Sequence, residues 1–264
     1  MDYTDIQYEA RDGIATITID RPKVLNAFRA ETVTEMIEAF QAAWADRTVG
    51  VAILTGTGDR AFCAGGDQSV RSAEGYQGTA ARSDLGLDIE ELHTIIRDIP
   101  KPVIAAVNGW AIGGGNVLQV ICDLSIAAEH ARFGQVGPRV GSVDPGFGTA
   151  YLARVVGEKK AREIWYLCRQ YTAAEALAMG LVNAVVPGDR LMEEARSWAR
   201  EMLAFSPTAL KLAKASFNAD TEGVRGIGAL GMSAVALYYG TEEALEGKNA
   251  FLERRKPDFG RFRR

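Results

Sequence analysis

The stretch Ile104-Ala-Ala-Val-Asn-Gly-Trp-Ala-Ile-Gly-Gly-Gly-Asn116 runs an apolar segment into three consecutive glycines, and a second apolar segment, Val117–Cys122, follows at once. Each glycine loses extra backbone entropy on ordering, so three of them between buried segments are a poor choice for stability alone. What they offer is backbone that approaches a ligand closely, with N–H groups free to point at it. If a helix begins after them, those N–H groups also carry the positive end of its dipole. The stretch therefore reads either as an anion or oxyanion site made of backbone amides, or as a glycine-rich turn with no ligand.

The rest of the chain bounds the choice. Its 264 residues fit one large domain, or one domain with a smaller appendage, and 47% hydrophobic content is enough for a sizeable core. A net charge of −4 exerts no general pull toward nucleic acid or an anionic membrane. The start, Met1-Asp-Tyr-Thr-Asp-Ile, lacks the basic and apolar regions of a secretory signal, and no run of about 18 apolar residues predicts a spanning helix. Cys63, Cys122 and Cys168 are odd in number and widely spaced, which suggests reduced thiols in a cytoplasmic enzyme. With only His93 and His130, and no Cys-x-x-Cys, a zinc site is not expected.

Outward from the glycines, period and breakers predict the elements. Gly13–Asp20 alternates as a strand, Thr32–Trp44 carries a helical apolar face, and Val49–Thr55 is continuous enough for a strand buried on both sides. A loop is expected over 56–67, and the polar, aperiodic stretch 69–86 is expected to form a mobile lid. Ile89–Ile99 reads as a helix stopped by Pro100 and Pro102, and Val103–Val107 as a third buried strand. Beyond the glycines, helical character over Asn116–Cys122 gives way to strand at Leu124–Ala127 and an extended segment at Ala131–Gly134. From Gly157 the chain turns mostly helical. Repeated strand–loop–helix–strand units make the fold class α/β, with residues 1–205 as a core and 206–264 as a C-terminal helical region. The small and apolar run Gly226–Leu237 suits close helix packing, within the chain or across a subunit interface.

Other motifs are weaker. Gly56-Thr-Gly-Asp-Arg-Ala61 formally fits a dinucleotide fingerprint, but more loop follows it where a helix should open, and no Walker lysine follows any glycine cluster. Cys63, with small apolar neighbours and no histidine close in sequence, reads as a buried structural thiol. Phe62-Cys-Ala-Gly-Gly-Asp67 repeats the character of the glycine triplet, a strand and then small residues. Two such loops can each aim one N–H at a single oxygen, and donors already aimed at developing negative charge form an oxyanion hole.

Phe62–Asp67 and Asn108–Asn116, with Cys122-Asp-Leu-Ser-Ile-Ala-Ala128 and Phe133-Gly-Gln135, resemble the crotonase (enoyl-CoA hydratase/isomerase) superfamily from Ile14 through Phe259. The resemblance implies a spiral core of ββα turns, a C-terminal helical region that mediates oligomerisation, and a homotrimer or homohexamer. It also implies a coenzyme A thioester as substrate, its carbonyl oxygen held by the N–H groups of Gly66 and Gly114, with no metal and no separate cofactor. Hydratases of the superfamily place glutamates where this chain has Val117 and Gly137, so simple hydration is not expected: neither position can move a proton.

Within the superfamily, Phe133–Gly148, Gly157–Tyr171 and Tyr238–Gly247 are similar to two kinds of enzyme. One, 2-ketocyclohexanecarboxyl-CoA hydrolase, opens a ring by reverse Dieckmann chemistry. The other, 1,4-dihydroxy-2-naphthoyl-CoA synthase, closes one. Both imply proton-handling groups that map to Ser142, Asp144 and Tyr239. The hydrolase is favoured, because Val136 lacks the hydroxyl with which the synthase helps hold a bicarbonate, and Ser69 stands where the synthase has a basic residue. Gln135 and Trp165 still leave room for an anion or water beside Gly137. Under this resemblance Asp144, oriented by Ser142, takes the proton of water, and Tyr239 polarises the ketone or protonates the α-carbon. Ala64, Asp67 and Gln68 are expected along the pantetheine, with Lys23 and Arg254 toward the CoA phosphates. A relative that only binds acyl-CoA, or RNA, is the alternative of another class.

Overall fold

The computed structural model describes residues 2–76 and 81–263. β1 (Ile6–Arg11) and β2 (Ile14–Ile19) form an antiparallel hairpin closed by Asp12-Gly13, both at positive φ, the pairing of residue types that two-residue turns favour. α1 (Ala30–Ala45) leads to β3 (Val51–Gly56) and then a short strand, β4 (Ala61–Cys63), inside the stretch predicted as loop. A two-residue ribbon, β5 (Arg71–Ser72) and β6 (Gly75–Tyr76), precedes α2 (Ile89–Asp98). β7 (Val103–Val107), β8 (Trp110–Ile112) and α3 (Gly114–Ile121) carry the glycine triplet. β9 (Leu124–Ala128) and β10 (Arg132–Gly134) follow, then a π-helical turn over Phe147–Tyr151, α4 (Leu152–Val156) and α5 (Glu158–Leu167). The chain continues through β11 (Gln170–Thr172), α6 (Ala173–Ala178), β12 (Ala184–Val186) and α7 (Leu191–Leu203). It ends in α8 (Pro207–Ala219), α9 (Glu222–Tyr239) and α10 (Glu242–Leu252).

Two sheets organise these elements. The larger has the order β1-β2-β3-β7-β9-β12, the smaller β11-β10-β8-β4, and the chain passes from large sheet to small sheet to helix three times: β3–β4–α2, β7–β8–α3 and β9–β10–α4. The apolar continuity of β3 and β7 has a direct cause. Ala52, Leu54, Val103 and Ala105 face the core shared with α1, α2 and α3, while Val51, Ile53, Ile104 and Ala106 face Leu191, Ala195 and Ala199 of α7. Strands covered on both faces need no polar alternation.

The C-terminal helices dock on α2 and the strand ends through few but specific contacts. Lys214 is the buried residue of α8; its Nζ meets Asp123 Oδ2 at 2.7 Å and donates to the carbonyls of Ile96 and Lys101 at 3.0 Å. Arg97 donates to Thr221 Oγ1 at 2.6 Å, and Arg225 pairs with Asp98 at 2.6 Å. The outer faces keep Leu212, Phe217, Leu230 and Leu237 exposed.

Of the stretch expected as a mobile lid, residues 77–80 lie outside the described residues, and the described part mixes exposed residues with buried ones. Arg71, Tyr76 and Leu85 are buried; Arg71 donates to Ala244 O of α10, and Tyr76 N donates to Leu85 O. Polar composition concealed three buried side chains among the described residues. No helix among the described residues is long and apolar enough to cross a membrane.

Candidate active site

The two glycine loops meet because the short strands in front of them are neighbours. β4 and β8 pair in parallel, so the chain leaves both at the same end of the small sheet. The loops therefore follow second-sheet strands, not the long buried strands β3 and β7 from which the sequence pattern derived them. Gly65 turns at φ 88°, and a Cβ there would stand 2.9 Å from Ile112 O and 3.1 Å from Gly114 N. At Gly115 a Cβ would fall 1.9 Å from Cys63 O, so the loops touch backbone to backbone. Neighbouring amides are consumed in holding them: Phe28 N donates to Gly65 O, Asp67 N to Phe28 O and Gly113 N to Gly134 O. Among the described residues the N–H groups of Gly66 and Gly114 have no acceptor, and both glycines are only partly buried. Gly114 is also the first residue of α3, where N–H groups lack intrahelical partners. Two free donors on facing loops can hold one oxyanion.

The Gly66 loop is held from behind by charge. Asp67 is buried; its carboxylate accepts from Arg21 at 3.2 Å and from Ser69 N and Oγ at 3.1 and 2.6 Å. Arg21 also pairs with Asp5 at 3.3 Å, which Arg29 and Thr32 hold in turn. Asp67 thus spends its oxygens inside the protein, and Ala64 spends its N–H on Leu25 O. Lys23 lies exposed on the turn before Leu25. Gln68 Nε2 donates to Gly66 O at 2.9 Å and to Tyr76 Oη at 3.3 Å. Cys63 is wholly buried, and burial pushes its thiol up to about 12, which leaves it unreactive.

Tyr76 connects this half of the site to the other. A Cβ on Gly66 would fall 2.0 Å from its hydroxyl, so that oxygen stands directly over the glycine, and burial raises its pKa. Its ring lies 6.4 Å from that of Tyr239. The Tyr239 and Ser142 hydroxyls, 97 residues apart in sequence, are hydrogen-bonded at 2.7 Å. Arg71 stacks over the Tyr239 ring at 4.4 Å and donates to the carbonyls of Val140, Gly141 and Ala244. Tyr76 and Arg71 were absent from the site expected from sequence. The only local signal was an aromatic and a cation in an otherwise polar segment.

Asp144 is where the expectation needs correcting. Ser142 does not orient it; the Ser142 hydroxyl is spent on Tyr239, and Asp144 Oδ1 accepts from Gly148 N at 3.0 Å. Burial raises the Asp144 pKa to about 6, with the imidazole of His93 and the Gly148 N–H opposing that rise and Glu90 adding to it. A carboxyl held near 6 can take and return a proton near neutrality.

Positions 117 and 137 house no acid. Val117 is fully buried in α3. A Cβ at Gly137 would stand 2.5 Å from Ser142 O and 2.8 Å from the Trp165 ring, so no side chain fits there. Trp165 is fixed by donating its indole N–H to Gly148 O. Gln135 is buried beside this turn with neither amide atom partnered among the described residues. A cavity of about 540 Å³ opens next to Ser142, lined by Tyr238, Phe259 and Phe262, and the C-terminal segment beside it is anchored by Arg255 on Glu246. Arg254 lies exposed on that segment. Among the described residues no three His, Cys, Asp or Glu side chains converge closely enough to hold a metal ion.

A family model described as enoyl-CoA hydratase/isomerase matches residues 9–262. Among solved structures, an enoyl-CoA hydratase from Mycobacterium avium subsp. paratuberculosis is 29% identical, with a TM-score of 0.84 over 98% of this chain and 99% of that one. A monofunctional enoyl-CoA isomerase from M. smegmatis is 31% identical, covering 83% and 94% at a TM-score of 0.71. An enoyl-CoA hydratase/isomerase from Xanthobacter autotrophicus is 31% identical, covering 96% and 94% at 0.82.

Proposed function

Because this chain belongs to the enoyl-CoA hydratase/isomerase family, we propose that it takes a cyclic β-keto acyl-CoA and opens its ring hydrolytically, with 2-ketocyclohexanecarboxyl-CoA giving pimelyl-CoA. Water adds to the ring ketone as Asp144 accepts its proton. The tetrahedral alkoxide collapses to a carboxyl group and breaks the bond to the α-carbon, whose electron pair enters the thioester as an enolate. The Gly66 and Gly114 N–H groups hold the enolate oxygen, each such donor being worth about 3 kcal/mol in the transition state. A proton then returns to the α-carbon from the Tyr239 and Asp144 side. The net change is the addition of one water.

The observation that carries this reading is the hydrogen-bonded Ser142–Tyr239 pair with Asp144 two residues on, in a site whose positions 117 and 137 are filled by a buried valine and a glycine with no room for a side chain. The apolar residues left exposed on α8 and α9 support assembly into a homotrimer or homohexamer, which sedimentation would measure.

The test is to incubate the protein with 2-ketocyclohexanecarboxyl-CoA and follow the ester by mass. Gain of one water supports the reading. No gain, with ring closure of o-succinylbenzoyl-CoA instead, transfers the assignment to the naphthoyl-CoA synthase. Binding of both esters with turnover of neither makes the protein an acyl-CoA binder.

A further inference from the structure

Packed against the loop that follows Asp144 lies a second group of ionisable side chains that the ring-opening steps do not use. His93 of α2 has no solvent exposure, and neither ring nitrogen has a hydrogen-bond partner among the described residues. Its Nδ1 lies 3.5 Å from Glu90 Oε1, one turn earlier on the same helix, and that oxygen is also unpartnered. A buried imidazole without a partner forfeits the hydrogen bonds it made in water, so its retention calls for a reason.

The packing brings this pair against the site loop. The His93 ring meets Phe147 edge-on at 5.6 Å, and Phe147 directly precedes Gly148, whose N–H holds Asp144. A Cβ on Gly228 of α9 would lie 2.8 Å from Glu90 Oε2, and one on Gly146 would lie 2.6 Å from the Gly228 Cα. Glu90, His93 and residues 144–148 therefore share one buried junction between α2, the loop and α9. Asp144 feels both neighbours, His93 favouring its carboxylate form and Glu90 opposing it.

We propose that His93 and Glu90 are positioning residues for the reaction: packed against the loop that carries Asp144, the pair governs how readily Asp144 takes up and returns the proton of water. The role assigned to Asp144 rests on the ring-opening reading; the coupling of the three groups does not. A protonated imidazole near two carboxylates makes ionisation of either one easier, while the carboxylates oppose each other. Other charged groups around the junction are committed elsewhere. Arg97 on α2 lies over the Phe147 and Tyr151 rings and donates to Thr221, and Arg225 on α9 pairs with Asp98 and Glu222. On the loop side Ser142 and Tyr239 are bonded to each other.

The experiment is an infrared titration of the protonated Asp144 carboxyl in the protein without substrate, its band assigned by loss in Asp144→Asn. Glu90→Gln should move the midpoint down and His93→Gln should move it up, each by about one pH unit, a tenfold change in proton affinity. A merely structural role gives no opposed pair of shifts. Midpoints that move by less than about 0.3 unit, or in the same direction, overturn the proposal. If His93→Gln does not fold, Glu90→Gln alone decides: without a downward shift the coupling is refuted. If the wild type opens the ring, the acidic limb of its turnover profile should move in parallel with the infrared midpoints. If it opens none, the functional reading fails while the titration still judges the cluster.

Discussion

Asp144→Asn should make the protein more stable and less active at once, and the size of the gain should depend on pH. The Asp144 carboxyl is raised from 3.8 to about 6 by burial. Below the unfolded value, folded and unfolded chains both hold the proton, and the group has no effect on stability. Between 3.8 and about 6 the unfolded chain has released its proton while the folded one retains it, so stability falls as pH rises through that window. Above about 6 both are ionised and the full penalty remains. At about 1.4 kcal/mol per unit, a rise of roughly two units amounts to about 3 kcal/mol. Asp144 keeps some solvent contact, so about 2 kcal/mol is the expected gain from removing its charge. Asparagine preserves the carbonyl oxygen that accepts from Gly148 N, so the loop should keep its shape. The assay is urea unfolding of wild type and variant near pH 8 and near pH 4. The variant should be about 2 kcal/mol more stable at the first and nearly equal at the second, with ring opening reduced by about 100-fold or more. An equal gain at both values, or a variant less stable near pH 8, would refute the claim that burial of this charge is what raises it.

Tyr239→Phe and Ser142→Ala each break the same 2.7 Å hydrogen bond; either should lower kcat by about tenfold or more with little change in KM, and the double variant should fall no further than the worse single one. Gly137→Ala forces a Cβ against the Ser142 carbonyl and the Trp165 ring, so it should destabilise by about 2 kcal/mol or more in chemical unfolding, and Gly137→Glu should not restore hydration. Arg71→Met leaves the carbonyls of Val140, Gly141 and Ala244 unpaired and Tyr239 uncovered; unfolding should show a loss of about 3 kcal/mol, and residual turnover should resemble that of Tyr239→Phe.

What the sequence made legible was whatever has a period or a local exception. β3, β7, α1 and α2 are continuous or periodic runs, and they appear within a few residues of where their patterns end. The glycine loops are exceptions to good packing, and the demand for close approach at Gly65 and Gly115 explains them. β4 and β8 were hidden because three residues are too few to show an alternation and both sit inside loop-like composition. The error about Ser142 and Asp144 has a related cause. The resemblance set Ser142 to orient Asp144, whereas the fold bonds Ser142 to Tyr239, 97 residues on, and Asp144 to the Gly148 N–H, and a partner that distant leaves no local mark. His93 carried no signal at all, since a histidine on the apolar face of a helix looks like any other core residue.

The small-residue run of α9, which sequence alone could place in the chain's own packing or at a subunit interface, has a use inside the chain. Gly228 admits Gly146 and the Glu90 carboxylate, and a Cβ on Gly231 would stand 2.2 Å from the ring of Pro145, so the helix is notched where the loop after Asp144 crosses it. The same helix ends at Tyr239, which reaches back to Ser142 at the start of that loop. One helix therefore seats the loop at its middle and bonds it at its end. The chemistry assigned to Ser142, Asp144 and Tyr239 has a geometric precondition that neither the sheets nor the glycine loops supply. The free N–H groups belong to the ββα turns and the tyrosine to the C-terminal helices, so a change that loosens α9 should disable proton movement while leaving the oxyanion donors intact. Enlarging Gly231 to alanine is the smallest such change: it should lower kcat and leave CoA-ester affinity nearly unchanged, and a parallel loss of binding would mean that α9 supports the whole site and not the loop alone.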